Sequence, residues 1–171
     1  VRQCDLMQVH NLLDVDTHLG TLAEWKQAGR IRYVGITHYT ADGAAAVARV
    51  LERRPVDFVQ INYSVAERDA EQRLLPLCLE RGIAVLANRP FAGGDIIRRL
   101  STLPLPGWAA SCDCTSWAQL LLKFVVSHPA ITCAIPASRR AAHVRDNMAA
   151  GTGVLPDPRM REKIAAEIAR L

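Results

Sequence analysis

Four apolar runs recur along this chain every 26 residues, and they begin at Asp5, Ile31, Asp57 and Ile83. Each run ends on polar residues, which are His10–Asn11, Thr37–His38, Asn62–Tyr63 and Asn88–Arg89. A strand of about six residues, a helix of about a dozen and two short loops add up to this interval, which is typical of parallel sheets with crossover helices. Because parallel strands end at one edge of the sheet, we expect these polar residues to share a rim, where such folds carry their chemistry.

Helical spacing of apolar residues between the runs predicts helices, and Gly29 and Gly82 mark the ends of two of them. The predicted strands are Leu6–Val9, Ile31–Thr37, Phe58–Asn62, Ile83–Ala87 and Ile131–Ile135. The predicted helices are Thr17–Ala28, Asp42–Arg53, Ala70–Glu80, Trp117–Ser127, Ala141–Ala150 and Pro158–Leu171. The predicted fold class is α/β, as one domain over residues 1–171. We expect a partial (β/α)8 TIM barrel with about five parallel strand-helix units plus a C-terminal helix.

Five units are too few to close an eight-stranded barrel, which takes about 250 residues. The sequence has 171 residues and begins with Val1 rather than Met. We therefore expect the remaining units to lie upstream. The outer strands of an open sheet carry unpaired backbone groups, so the open barrel edges would offer a route to association with another chain.

The stretch from Ala92 to Ser116 interrupts this regular pattern and contains the close pair Cys112 and Cys114. Loops longer than about 12 to 15 residues in compact domains are usually functional or mobile, which favours a lid over the rim. A packed surface segment anchored by Trp108 and Trp117 is an alternative of equal weight.

Charge, cysteine content and hydropathy argue against several functions. Lys+Arg number 21 and Asp+Glu 17, with no basic run of five or more, so nucleic-acid binding is not expected, whereas one bound phosphate group is. The five cysteines are odd in number and lack paired zinc or disulfide spacing, so we expect a reduced cytoplasmic protein without a bound metal. An export signal upstream of Val1 would change that expectation. No apolar stretch reaches the roughly 18 residues of a membrane span.

Four motifs carry a family resemblance that covers essentially the whole chain. They read Asp-Leu-Met-Gln-Val-His-Asn at 5–11, Gly-Arg-Ile-Arg-Tyr-Val-Gly-Ile-Thr-His-Tyr at 29–39, Phe-Val-Gln-Ile-Asn-Tyr-Ser at 58–64 and Ile-Pro-Ala-Ser-Arg-Arg-Ala-Ala-His-Val-Arg-Asp-Asn at 135–147. In this order and spacing they resemble the aldo-keto reductase family, from its fourth strand to its C-terminus.

The resemblance implies a (β/α)8 barrel that reduces the carbonyl of a small aldehyde or ketone with NADPH. In the family, an Asp-Tyr-Lys-His tetrad surrounds the carbonyl, and the tyrosine donates the proton. By resemblance, His10 is the tetrad histidine, which hydrogen-bonds the carbonyl oxygen and orients the substrate. The other three members lie upstream of this sequence in the family.

No residue of this chain is expected to replace the tyrosine and lysine of the tetrad. The three lysines all fall in predicted helices, and they are Lys26, Lys123 and Lys163. Tyr39 and Tyr63 lie near strand ends, but a phenol without a cationic neighbour keeps a pKa of about 10 and is a poor proton donor. The isolated chain is therefore expected to be inactive.

The resemblance also implies part of a nicotinamide site at the strand ends. Thr37 and Gln60 match the positions that hold the carboxamide, where a hydroxyl and an amide supply both donors and acceptors. His38 stands where an asparagine is usual. Asn88 stands where many members place an aromatic ring, so this chain is expected to lack that stack on the nicotinamide.

Further matches imply binding of the phosphates and adenosine of NADP. Arg89, which precedes Phe91 in the same segment, could reach the pyrophosphate. Ser138 and Arg139 would meet the 2′-phosphate beside a helix N-terminus, and the adjacent pair of arginines at 139–140 favours NADP over NAD. His143 stands near the same phosphate. In the family, a pair of polar residues hydrogen-bonds the adenine, and this pair is matched by Asp146 and Asn147.

Two functions of different classes follow from these observations. The first is an enzyme, the C-terminal part of an aldo-keto reductase that acts when completed by the missing N-terminal units. The alternative is a catalytically inactive half-barrel that acts as a nucleotide-binding or scaffold module. A metal-dependent barrel enzyme is a distant third, because the strand ends offer His, Thr, Asn and Arg rather than clustered carboxylates.

Overall fold

A computed structural model describes residues 3–40 and 42–171 of the chain. The strands are β1 (Cys4–His10), β2 (Ile31–Thr37), β3 (Phe58–Asn62), β4 (Ala84–Asn88) and β5 (Cys133–Ala134). The α-helices are α1 (Val15–Gln27), α2 (Gly43–Arg53), α3 (Leu74–Glu80), α4 (Asp95–Leu100), α5 (Trp117–Val126), α6 (Ala141–Ala149) and α7 (Pro158–Arg170). Short 3-10 helices cover Asp69–Glu71, Ala92–Gly94 and Gly107–Cys112.

The five strands form one sheet in the order β1-β2-β3-β4-β5. Strand β2 pairs in parallel with β1 and with β3, and the helices follow the strands in an alternating sequence. The predicted α/β class with five parallel strands is confirmed. Gly35 permits the close approach of β2 and β3, because a Cβ atom there would lie 2.9 Å from the carbonyl oxygen of Phe58.

The chain divides into two compact units. The first comprises the residues up to Ile61 together with Asp69–Leu86, and the second comprises Asn62–Arg68 and Ala87–Leu171. Strands β3 and β4 contribute residues to both units. That the whole chain is one domain stays a prediction.

Helix α2 supplies much of the apolar core of the first unit. Its buried side chains recur at helical spacing, at Ala44, Val47, Ala48 and Leu51. The core of the same unit includes Ile36 and Val59, which are fully buried on β2 and β3. The alternation of apolar strands with one-sided apolar helices in the sequence thus accounts for the core of this unit.

Helix α5 lies in the core of the second unit and is buried on nearly all sides. A helix that is apolar all round needs burial rather than a solvent face. Its Lys123 is nevertheless fully buried, and the ammonium donates to three backbone carbonyls. The acceptors are the oxygens of Cys112 at 2.7 Å, Thr152 at 2.7 Å and Val154 at 3.0 Å. This single side chain therefore ties two chain segments to α5.

Arg161 makes a second buried polar anchor in this unit and attaches α7. Its guanidinium donates to the Tyr63 hydroxyl at 2.6 Å, to the Ser127 hydroxyl at 3.2 Å and to the Phe124 carbonyl. The guanidinium carbon also lies 4.2 Å from the centre of the Phe124 ring, a cation–π geometry.

Most predicted bounds agree with the structure to within two residues, but the structure differs from the prediction in three places. The predicted helix Ala70–Glu80 is divided into a 3-10 turn and α3, because Pro76 lacks an N–H and is tolerated only in the first turn of a helix. The fifth strand is only Cys133–Ala134. The interval Ala92–Ser116 is not an irregular loop, since it contains α4 and two 3-10 helices.

The contacts of Ala92–Ser116 agree with the second interpretation of this interval, a packed surface segment anchored by tryptophan side chains. The indole of Trp117 is buried and donates from Nε1 to the Leu103 carbonyl at 3.0 Å. The Lys163 ammonium lies 4.6 Å from the centre of the Trp108 ring.

No helix among residues 3–40 and 42–171 combines the length and apolar character that a membrane crossing requires.

We expect Lys123→Met to lower the free energy of unfolding by about 2 kcal/mol or more, because three backbone carbonyls would lose their shared donor, one of them in a buried hydrogen bond. The matched control is Lys163→Met, which removes an exposed ammonium and should cost below about 1 kcal/mol. Urea unfolding followed by circular dichroism measures both. Equal stability of the two variants would contradict the anchoring role of Lys123.

Candidate functional site

The ends of three strands of the first unit bring three predicted site residues into one row. His10 pairs with Thr37 in the parallel register of β1 and β2, and Thr37 pairs with Gln60 in that of β2 and β3. The row continues into the following loops, where Asn11 N donates to the Thr37 carbonyl at 2.9 Å. His38 N likewise donates to the Gln60 carbonyl at 3.0 Å.

The three side chains of this row differ in exposure. His10 is exposed, Gln60 is half-buried and Thr37 is buried. Asn11, next to His10, has a buried side-chain oxygen that accepts no hydrogen bond within the described part of the chain. An unsatisfied buried acceptor beside an exposed imidazole is typical of a place where a ligand or water completes the bonding.

The chain leaves β1 through a strained turn. Asn11, Leu12 and Asp14 have φ values of 54°, 57° and 44°, in the left-handed region. This region costs a non-glycine residue about 1 kcal/mol or more, and such strain is concentrated at functional sites. The turn holds the end of β1, and with it His10, at the sheet edge.

His38 is held by its own loop. Its Nδ1 lies 3.3 Å from Thr40 N and 3.1 Å from the Thr40 hydroxyl, which in turn donates to the Asp42 carboxylate. That hydrogen bond from Thr40 lowers the pKa of the Asp42 carboxyl. Gly43 is required beside the ring, because a Cβ atom there would lie 2.2 Å from Nδ1. The imidazole is therefore packed against the start of α2.

The second unit contains a cavity of about 820 Å³. It is lined by the segment after β4, by α4, by the start of α5 and by the segment from β5 into α6. Six predicted site residues line it, namely Arg89, Phe91, Ser138, His143, Asp146 and Asn147. Two others do not: Asn88 is buried at the end of β4, and Arg139 is exposed outside the lining.

The segment Arg89–Gly94 forms one wall of the cavity with an unusual backbone. Arg89 and Ala92 both have a φ of 49°, and Gly93 and Gly94 have φ values of 72° and 97°. A Cβ atom on Gly93 would lie 2.8 Å from Nη2 of Arg89. The guanidinium therefore lies close to the Gly93 backbone, where a larger residue would displace it.

Several cavity residues were missed by the sequence reasoning. Arg98 projects from α4 and pairs with Asp95 on the same helix. The signal that could have predicted α4 was present, since Gly94 followed by an acidic residue is a common helix start. Ser116 and Trp117, at the start of α5, also line the cavity.

Asp146 is held by the first turn of α5. The Ser116 hydroxyl donates to Oδ2 of Asp146 at 2.8 Å, and Nε2 of Gln119 donates to Oδ1 at 2.6 Å. The Ser116 oxygen also accepts from Gln119 N at 3.1 Å and so caps the helix. One face of the cavity thus carries a carboxylate whose two oxygens each receive a hydrogen bond.

Helix α6 begins at the cavity with features that suit an anion. Its first-turn N–H groups carry the positive end of the helix dipole, and Ser138 adds a hydroxyl to the lining two residues before Arg140, the residue at the helix N-cap. His143 lies in the first turn and also lines the cavity. Together with Arg89 and Arg98 these groups give the cavity a basic character.

The two tyrosines that the sequence places near strand ends, Tyr39 and Tyr63, lie in different surroundings. Tyr63 is fully buried and accepts a hydrogen bond from Arg161. The expectation that it lacks a cationic neighbour is therefore wrong, because α7 brings an arginine to it from far along the chain. Tyr39 is 49% exposed.

The cysteines show no arrangement for chemistry in the described residues. All five are free thiols, and Cys78, Cys112 and Cys114 are buried. Burial raises the pKa of Cys78 to about 12 and that of Cys114 to about 11, so both thiols are protonated at neutral pH. Residues 3–40 and 42–171 contain no group of three His, Cys, Asp or Glu side chains that could hold a metal ion.

Comparisons with known proteins give a consistent family assignment. The model of the aldo/keto reductase family matches residues 1–166. Probable aldo-keto reductase 1 of Glycine max is 28% identical over 110 residues, which cover 60% of this chain and 31% of that protein. An aldo-keto reductase of Klebsiella pneumoniae, solved in complex with NADPH, is 25% identical with a TM-score of 0.76 over 99% of this chain and 59% of that one. The apo form of aldo-keto reductase AKR11C1 from Bacillus halodurans is 22% identical with a TM-score of 0.76, over 98% of this chain and 62% of that one.

We expect Gly93→Ala to lower the free energy of unfolding by about 1 kcal/mol, because alanine disfavours a φ of 72° and its Cβ would meet Arg89. Gly107→Ala is the control, since no atom lies within 4 Å of a Cβ at that position and its φ is not in the left-handed region. Thermal unfolding of both variants measures the difference. A Gly107→Ala variant as destabilised as Gly93→Ala would count against the local strain at Gly93.

Proposed function

The chain belongs to the aldo/keto reductase family, and we propose that it takes part in the NADPH-dependent reduction of an aldehyde or ketone. In this proposal the chain supplies the carbonyl-orienting histidine, His10, and most of the residues that bind the cofactor. The Asp, Tyr and Lys of the family tetrad come from units that precede β1 in the family. The observation that carries the proposal is the basic cavity of the second unit, with the start of α6 at its wall.

The cavity has the size and chemistry that a dinucleotide phosphate requires. Its volume of about 820 Å³ falls within the range of about 300–1,000 Å³ that is common for small-molecule sites. Arg89 and Arg98 can pair with phosphate oxygens, and the N–H groups at the start of α6 can donate to another. Apolar side chains such as Ile97, Leu105 and Trp117 give the same cavity an apolar wall that suits a base. NADPH, when bound, supplies the hydride for the reduction.

The row of strand ends in the first unit would act on the reacting groups. The exposed imidazole of His10 can donate a hydrogen bond to the substrate carbonyl oxygen, which polarises the carbonyl and sets its orientation. Thr37 and Gln60 can hold the nicotinamide carboxamide, because a hydroxyl and an amide offer both donors and acceptors. His38 belongs to the same proposed group, although its ring is packed against Gly43.

The residues of the second unit would bind the phosphates and the adenosine of NADPH. We assign Arg89 to the pyrophosphate, with Phe91 packing beside it. Ser138 and His143 are assigned to the 2′-phosphate, and Arg139, exposed just outside the cavity, would contribute only at its margin. Asn88 offers an amide in place of an aromatic ring. The residues assigned to the adenine are Asp146 and Asn147.

The second candidate function, a nucleotide-binding module without catalysis, is favoured by the positions of the lysines. In the described chain Lys26 pairs with Asp57, Lys123 binds three carbonyls and Lys163 lies over Trp108. All three are helical residues with these structural roles, so none takes the part of a tetrad lysine in the strand-end row. By itself, the 171-residue chain would thus bind NADPH without turning it over.

The reductase proposal is tested by joining this chain to the N-terminal units of a family member that carries the Asp, Tyr and Lys. We expect aldehyde-dependent loss of NADPH absorbance with the joined protein and none with the isolated chain. His10→Ala in the joined protein should lower kcat by about 100-fold while leaving the NADPH Kd nearly unchanged, because the donor to the carbonyl oxygen is lost. His18→Ala, on the exposed face of α1, is the control.

The outcomes separate the two functions. If a correctly folded joined protein binds NADPH but shows no turnover on a broad panel of aldehydes and ketones, the reductase proposal is rejected in favour of the binding module. Failure of both proteins to bind NADPH would reject both functions.

We expect Arg98→Gln to weaken NADPH binding by about fivefold, because a cation near the phosphates is lost. Arg99→Gln is a matched control, since Arg99 is the next residue of α4, is exposed and does not line the cavity. Titration of the nucleotide by fluorescence at two salt concentrations measures both variants. Equal affinity of the two variants would show that Arg98 makes no phosphate contact.

A further inference from the structure

Gln119 is a buried amide in an otherwise apolar helix. Between Trp117 and Val126, α5 carries only two polar side chains, Gln119 and Lys123. Gln119 is 6% exposed, so its amide must find partners within the protein. Unlike Lys123, it does not bind distant backbone segments. Its contacts are to Thr115, Ser116 and Asp146, all of which line the cavity of the second unit.

The hydrogen bonds determine how the Gln119 amide is oriented. Thr115 N, which can only donate, lies 2.8 Å from Oε1, and the Thr115 hydroxyl lies 3.2 Å from the same atom. The oxygen must therefore face Thr115, and the NH₂ group faces Asp146 at 2.6 Å. The amide has one orientation that satisfies all these partners.

The Asp146 carboxylate receives two donors from the same turn of α5. Gln119 donates to Oδ1 and the Ser116 hydroxyl donates to Oδ2. An ionised carboxylate has about four acceptor positions and no donor. The two bonds therefore leave acceptor positions on a half-buried group at the cavity wall. A ligand group that meets Asp146 must be a hydrogen-bond donor.

We infer that Gln119, together with Ser116, is a positioning residue that holds Asp146 as a fixed acceptor and so selects nucleotides whose base carries an amino group. This inference rests on the proposed function, in which Asp146 meets the adenine. The exocyclic amine of adenine can donate to the carboxylate. A 6-oxo purine such as hypoxanthine presents a carbonyl oxygen instead, and two acceptors facing each other leave both without a partner.

A merely structural role for Gln119 makes a different prediction. If the contact only joins α5 to α6, its removal lowers stability and weakens binding of all nucleotides by the same factor. A positioning role changes the ratio of the affinities for the two bases. The ratio is thus the informative readout, because uniform effects of misfolding or loosened packing cancel in it.

The test measures the Kd of NADPH and of its hypoxanthine analogue for the 171-residue chain and its variants by fluorescence titration. We expect the unsubstituted chain to prefer NADPH by about tenfold or more, as for a hydrogen bond to a charged group. Gln119→Met, which keeps the side-chain length but removes the donor, should reduce this preference at least about threefold, mainly through weaker NADPH binding. Gln27→Met, at an exposed position of α1, is the matched control and should keep the preference.

Ser116→Ala provides a second variant, which removes the donor to Oδ2 of Asp146 together with the N-cap of α5. It tests the inference if Gln119→Met does not fold, because the loss of the cap affects both nucleotides alike and cancels in the ratio. It should also reduce the preference. An unchanged preference in a folded variant would overturn the inference, even if its melting temperature falls. If the unsubstituted chain binds NADPH but shows no preference, the inference fails alone. If it binds neither nucleotide, the proposed cofactor function fails as well.

Discussion

Parallel pairing in register is the constraint on which the first unit depends. Backbone hydrogen bonds place His10, Thr37 and Gln60 side by side across β1, β2 and β3. A slip of one residue in any strand would turn these side chains to the opposite face and expose the apolar ones that alternate with them. The close approach of β2 and β3 at Gly35 and the packing of Gly43 against His38 maintain the same arrangement locally.

The second unit depends on polar groups buried within an apolar environment. Lys123, Gln119 and the Arg161 that packs on Phe124 are each satisfied by several hydrogen bonds. A buried polar group is costly unless all its partners are present, so each of them specifies one arrangement of the surrounding segments. Lys123 serves the framework, whereas Gln119 acts next to the cavity. The same physical requirement thus supports both folding and the proposed recognition of a nucleotide.

Much of the fold and part of the site could be predicted from local patterns. The four evenly spaced apolar runs correspond to β1–β4, and the strand-end row of His10, Thr37 and Gln60 follows from the parallel pairing. The six cavity residues were named from the family resemblance, and their roles stay predictions. The short α4 and the reduction of the fifth strand were not predicted. In segments with a weak propensity for helix or strand, tertiary packing decides which structure forms. Arg98 was missed for the same reason, since its place at the cavity follows from the existence of α4.

The sequence by itself determined the α/β class, the order of the strands and helices and the family resemblance, because these depend on spacing and motifs within short segments. Only the tertiary structure decided which polar residues meet. Gln119 reaches Asp146 across 27 positions of the chain, and Arg161 reaches Tyr63 across 98. No local pattern encodes such pairs, because they arise when helices pack and bury donors that must then find acceptors.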